Sequence, residues 1–193
     1  VLFRSDENSV GYDCFNEPHL YGLDESQNVQ INGDLSVDDL VDETGNPSGP
    51  GIVPDGTIVA SHYVFFDPVV NTVSGTVNFS SDIIAVIHSS ENLAASHYLA
   101  NTGVNYINHD LLGLESGDSV TIINATAIDV SFFATSPGDY VRILTELAPD
   151  ADGDGDGVLD GEDNCVGIPN EDQADADNDG KGDVCDETRS EEH

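Results

Sequence analysis

Along the first three quarters of the chain, apolar and polar residues alternate with the period of two that marks strands lying between a core and water. Over residues 28–38, Val29, Ile31, Leu35 and Val37 share one face, while Gln30, Asn32, Asp34 and Ser36 share the other. The pattern predicts one long half-buried strand or a strand pair. Residues 57–66 (TIVASHYVFF), 82–88 (DIIAVIH) and 119–123 (SVTII) are apolar on both faces, as expected of central strands in a two-layer sandwich. In residues 139–147 (DYVRILTEL), Val141, Ile143, Thr145 and Leu147 oppose Tyr140, Arg142 and Leu144, a pattern that closes a sheet. Turn residues separate these runs: residues 45–56 read as a Pro/Gly/Asp loop, and Pro68, Gly75, Gly113, Gly117 and Pro137-Gly138 punctuate the rest. Only residues 92–100 and 111–115 carry the pattern of short helical turns. The expectation is an all-β protein, a jelly-roll-like β-sandwich of about eight to ten strands.

The alternation stops after Leu147. Beyond it the apolar side chains are few, chiefly Val158, Leu159, Val166, Ile168 and Val184, so hydrophobic burial cannot fold this tail. The chain therefore divides into an N-terminal segment (1–27), a sandwich (28–149), an irregular acidic tail (150–186) and a polar end (187–193). In all, 38 acidic residues face 4 basic ones across 193 residues, a net charge of -34. That balance excludes nucleic acid and anionic membrane surfaces as partners, since both require a cationic footprint. No run of 18 apolar residues exists for membrane insertion. The chain starts at Val1 without a signal peptide, and is expected to be an internal or processed piece whose targeting segment is missing.

The tail holds the most specific chemistry. Asp152, Asp154, Asp156, Asp160 and Asp163 occupy positions 1, 3, 5, 9 and 12 of a twelve-residue loop, with Gly157 at 6 and the Val158 carbonyl at 7. Alternating carboxylates wrap hard oxygens round one cation, and glycine permits the sharp turn. The spacing repeats at Asp175, Asp177, Asp179, Gly180, Asp183 and Asp186, with the Lys181 carbonyl at 7. At least two Ca2+ ions are expected. Asp at position 12 reaches less far than the usual Glu. Of the three cysteines, Cys165 and Cys185 lie within this tail, where a disulfide would fit only an oxidising compartment; Cys14 reads as a free thiol or an intermolecular partner.

Residues 150–186, DADGDGDGVLDGEDNCVGIPNEDQADADNDGKGDVCD, closely resemble the thrombospondin type 3 repeat: the DNC at 163–165, the Asn170-x-x-Gln173 spacer and the GDVCD at 182–186 carry the likeness. Val166 stands where that family usually has Pro. The resemblance implies an extracellular, calcium-dependent, irregular module in which Cys165 pairs with Cys185. The stretches TIVASHYVFFDP, VSGTVNFSSDIIAVI, LLGLESGDSVTI and SPGDYVRILTEL are similar to bacterial secreted β-domains that precede C-terminal cell-surface sorting signals. That likeness bears on fold and compartment, and carries no activity.

Six histidines raise the question of catalysis. His62 and His97 each sit in Ser-His-Tyr, but neighbours on a strand point to opposite faces and cannot share a proton. No G-x-S-x-G or H-E-x-x-H motif is present. A histidine relay through Asp82 or Asp110 has no motif behind it, so the chain is expected not to be an enzyme. The sequons at Asn78 and Asn124 would mark glycans in a eukaryote. Three classes remain: a structural subunit of an extracellular, cell-surface assembly, a module binding glycans or another ligand, and an enzyme. The first is preferred, as a homo-oligomer or filament built by strand addition from residues 1–27, where Val10, Tyr12 and Cys14 alternate with polar neighbours.

Overall fold

The computed structural model describes residues 2–3, 9–10, 19–66, 70–106, 113–135, 138–147, 152, 154–177 and 180–186. The strands, in chain order, are β1 (Leu2–Phe3), β2 (Ser9–Val10), β3 (Tyr21–Asp24), β4 (Val29–Gln30), β5 (Leu35–Val41), β6 (Pro47–Val53), β7 (Ile58–Phe66), β8 (Val70–Asn78), β9 (Ile83–Ile87), β10 (Asn105–Tyr106), β11 (Ser119–Asn124), β12 (Ala127–Thr135) and β13 (Asp139–Thr145). One helix, α1 (Ser90–Ala95), runs into a 3-10 turn (His97–Leu99), where short helical structure is expected. Residues 113–115 are not helical.

The fold is an all-β sandwich. A main sheet runs β1-β3-β7-β13-β9-β5-β6, with β4 also on β7, and a small sheet runs β11-β12-β8. β7 and β13 lie at the centre and pair antiparallel from Ala60↔Thr145 to Phe66↔Asp139. Their alternation distributes side chains to two cores. Val64, Phe66, Val141 and Ile143 meet Val77, Ile128, Val130 and Phe132 of the small sheet. Tyr63, Phe65, Tyr140 and Leu144 lie on the opposite face, against Leu93 of α1 and Leu99 of the 3-10 turn.

Of the two readings for residues 28–38, the chain takes two strands: Gly33, at φ +80°, turns the chain between β4 and β5 and donates its N–H to Asp55 Oδ1 at 2.7 Å. Three expectations change. The loop expected at 45–56 contains β6, whose Pro47 and Pro50 are tolerated because it is the edge strand and needs donors on one side only. Residues 119–123 are not central. β11 is an edge of the small sheet in which Ile122 is buried and Ile123 faces water. Finally, β3 pairs with β7 from Tyr21↔Phe65 to Asp24↔His62, so residues assigned above to the N-terminal segment are part of the main sheet.

Asp38 fixes the cover over the main sheet. Its carboxylate accepts the His88 and Ser89 N–H groups at 2.7 and 2.8 Å, the Ser89 hydroxyl at 2.7 Å and the Asn92 amide at 2.8 Å. Burial alone would raise this carboxyl, but the bonds from Ser89 and His88 outweigh it and hold the group below its ordinary range. Ser89 in turn caps α1 through Asn92 N.

Candidate metal centre

Three carboxylates of the first loop converge. Asp152, Asp154 and Asp156 place ligand oxygens within 4.8 Å of one another. The loop is shaped by its own amides: Asp152 accepts Gly155 N at 2.8 Å and Gly157 N at 3.0 Å, Asp154 accepts Asp156 N at 3.1 Å, and Asp156 accepts Val158 N at 2.8 Å. Oδ2 of Asp154 and Oδ2 of Asp163 are buried and meet no hydrogen-bond partner among the described residues. Asp160, at position 9, is buried at 3% exposure. Carboxylate oxygens withdrawn from water and left unpaired are strongly unfavourable, and a hard cation is the group that resolves this. The donor set, all oxygen and rich in charge, fits Ca2+.

The second loop repeats the first. Asp175 accepts Gly180 N at 3.0 Å, the same position 1 to position 6 bond, at the same length, as Asp152 with Gly157. Gly157 and Gly180 have φ of +92° and +94°, the left-handed conformation that glycine adopts without strain. Asp183, at position 9, accepts Ala176 N at 3.0 Å. Asp177, Lys181 and Asp186 are described, whereas Asp179 lies outside the described residues.

The Cys165–Cys185 disulfide, with Cα atoms 5.7 Å apart, ties the two loops together. Between them Gln173 acts as a clamp: its side chain accepts Asn164 N at 2.8 Å and donates to Asp163 Oδ1 at 2.7 Å, and its carbonyl accepts the Asn164 amide at 3.0 Å. Asp156 Oδ2 accepts Asn170 N at 2.7 Å, joining position 5 of the first loop to the spacer. In a segment without a core, such bonds and the disulfide supply the order that burial gives the body. Cys14 lies outside the described residues.

The family model of the thrombospondin type 3 repeat matches residues 148–173. That span contains the first loop and ends at the Gln173 clamp, and it supports a calcium-binding role for the tail. Comparison with curated proteins and with solved structures found no match. The disulfide fits an oxidising compartment, and no helix among the described residues is long and apolar enough to cross a membrane.

The body holds three polar constellations that sequence reading missed. Arg142 binds Glu25 through Nε at 2.6 Å and Nη2 at 2.9 Å, reaches Ser96 Oγ at 2.6 Å, and lies 5.5 Å from the Tyr63 ring centroid. His62 lies 2.7 Å from Asp24 Oδ1 and 3.0 Å from Thr145 Oγ1, so its carboxylate partner is Asp24 rather than Asp82; Asp110 lies outside the described residues. In this acid–imidazole–hydroxyl line Thr145 is buried and its hydroxyl donates to the Glu146 carbonyl at 3.0 Å. Ser61, beside His62, points the other way and donates to Glu25 at 2.7 Å. The third is Asp139, buried with Oδ2 unpaired among the described residues. Burial, and then the charges of Asp118 and Glu115, push its carboxyl up to about 7. A strand-period pattern assigns faces but not partners across sheets, so none of the three had a signal in the sequence.

Proposed function

We propose that this chain is an extracellular, non-enzymatic structural protein whose tail takes at least two Ca2+ ions, one per loop. The ligands are the Asp152, Asp154, Asp156, Asp160 and Asp163 carboxylates with the Val158 carbonyl, and the Asp175, Asp177, Asp179, Asp183 and Asp186 carboxylates with the Lys181 carbonyl. The observation that carries this reading is the repeated 3.0 Å bond from position 6 to position 1, which gives both loops one geometry. Each ion would offset part of the charge of five clustered carboxylates, which Lys181 and Arg189 of the tail cannot balance. Secretion to a cell surface accords with the disulfide and with the body's likeness to bacterial secreted β-domains.

The same proposal takes the protein to be a subunit of a self-assembling filament or surface layer. β8 and β11 are the two edges of the small sheet, the kind of site at which a donated strand adds. In one chain β1 pairs with β3, and β2 with β10, through two residues each. Pairings this short cost little to exchange for a longer pairing on a neighbour. Calcium titration by calorimetry tests the first half: two sites per chain are expected, and fewer than two, or equal preference for Mg2+, would overturn it. Electron microscopy of the native protein with and without chelator tests the second half, for which filaments that depend on calcium are expected and monomers in both conditions would refute it.

A further inference from the structure

The outward face of the small sheet is built mainly from hydroxyl side chains. The register aligns Ser131 with Ser119 on one side and Ser74 on the other, and Asp129 with Thr121 and Thr76. Val130 and Phe132 point inward to the core, so these serines and threonines point outward, and all are exposed. Asp129 is the single carboxylate among these rows and accepts the Thr76 hydroxyl. In a chain with 38 acidic residues, three adjacent strands thus present a nearly uncharged face of hydroxyls. Two large apolar side chains border it: Phe133 is 54% exposed and Ile123 is 47% exposed.

We propose that this face is a binding site for an extended, neutral polysaccharide. Three considerations select that occupant. Charge comes first: the net -34 repels polyanions such as uronate or sulfated glycans, and a cationic partner would be drawn to the carboxylate-rich regions rather than to this nearly uncharged face. Size comes second. Three strands at about 4.8 Å spacing and some six residues at about 3.4 Å rise give roughly 300 Å², well short of the about 800 Å² per partner of a stable protein interface. A second copy of this chain is therefore a poor fit, whereas a narrow chain of sugar rings suits it. Chemistry comes third, because rows of hydroxyls match the donors and acceptors of sugar hydroxyls, and an exposed ring offers an apolar plate to a pyranose face. The small sheet is backed by the core, so the face is preformed and little is lost in ordering it.

The site is independent of the calcium loops, and its test separates the two. Affinity electrophoresis of the full chain is run in gels containing mixed-linkage β-glucan, xylan, mannan or a soluble chitin derivative, with alginate as the anionic control, each with calcium and with chelator. Retardation by at least one neutral polymer, in both calcium and chelator, with none by alginate, is the expected result. Ser131→Asp places a charge at the middle of an exposed face and should abolish retardation, while Phe133→Ala should weaken it roughly tenfold, the scale of one lost aromatic contact. Thermal unfolding of both variants at the wild-type temperature shows that the fold is intact. The proposal is overturned if no neutral polymer retards the protein, if alginate does so equally, or if Ser131→Asp leaves retardation unchanged. Sedimentation that finds a dimer broken by Ser131→Asp would overturn it in favour of a second copy.

Discussion

Arg142 and Glu25 form a bidentate ion pair at 2.6 and 2.9 Å in which both side chains are almost wholly withdrawn from water. The pair joins the centre of β13 to the residue after β3, and through Ser96 and the Leu93 carbonyl it also holds α1. Breaking such a pair leaves a buried charge without its partner, which costs about 3–5 kcal/mol, whereas replacing both members with apolar groups is often neutral. Glu25→Leu and Arg142→Met should each lower the urea midpoint strongly, and the double variant Glu25→Leu/Arg142→Met should recover much of the loss. Arg142→Lys should behave like a loss, since a lysine ammonium cannot reproduce the two-pronged contact. Equal, additive losses in the double variant would refute the pairing as the cause.

Asp139 gives the body an unusual response to pH. Its carboxyl, raised to about 7 in the fold, ionises near 4 when the chain unfolds. Between those values the unfolded chain releases the proton while the folded protein keeps it. The stabilising contribution is therefore full below about pH 4 and is lost as pH rises through about 7. Asp38 works in the opposite sense: its lowered carboxyl favours the fold above the unfolded value, and that contribution is lost as pH falls through the folded one. With chelator present, Asp139→Asn should flatten the decline in thermal midpoint between pH 5 and 8. Asp38→Asn should leave that decline and reduce stability most at neutral pH. An unchanged slope for Asp139→Asn would show that the carboxyl ionises normally.

How far the sequence reached follows from the range of the interaction concerned. The clustering of Asp152, Asp154 and Asp156 was legible because these residues lie within five positions of one another, so local chain geometry alone brings their carboxylates together. β7 and β9 were legible because burial on both faces leaves runs in which apolar residues predominate, and β13 because its two faces could be read from the period of two. β6 was hidden by Pro47 and Pro50, residues that read as loop wherever edge position is unknown. Glu25 and Arg142, 117 residues apart, had no joint signal, and the strand pattern placed Arg142 on a face with Tyr140 and Leu144 without naming its partner. The neutral face of the small sheet emerges only once the register places Ser74, Ser131 and Ser119 side by side.

Gly157 and Gly180 should respond alike to substitution. Both lie at position 6 in the left-handed region, where a Cβ costs about 1–2 kcal/mol, and each donates to the carboxylate at position 1. Gly157→Ala and Gly180→Ala are each expected to weaken one calcium site by roughly tenfold, as that cost converts, and to leave the other intact. Calorimetric titration resolving two classes of site in each variant would agree, and a loss of both sites from one substitution would show the loops to be coupled. Gly182→Ala acts by another route, because a Cβ there would overlap Asn164 and Cys165, and it should lower the yield of the disulfide.

Removing the two supports of the tail separately and together tests whether it stands on them. A disulfide closing a loop of this length, 20 residues apart in sequence, contributes about 3 kcal/mol by constraining the unfolded chain, and bound calcium stabilises by mass action. The Gln173 clamp persists while either remains, since each alone keeps Asn164 and the second loop close. Amide exchange is expected to be slow at Asn164, Cys165 and Asp183, whose N–H groups bond within the tail. Chelation alone, or reduction alone, should accelerate exchange at these positions moderately; both treatments together should bring it to the rate of unstructured chain. Exchange at Val64 and Ile143, in the body's core, should not change. If the body's amides accelerate in step with those of the tail, the sandwich depends on calcium too, and the tail is not an independent unit.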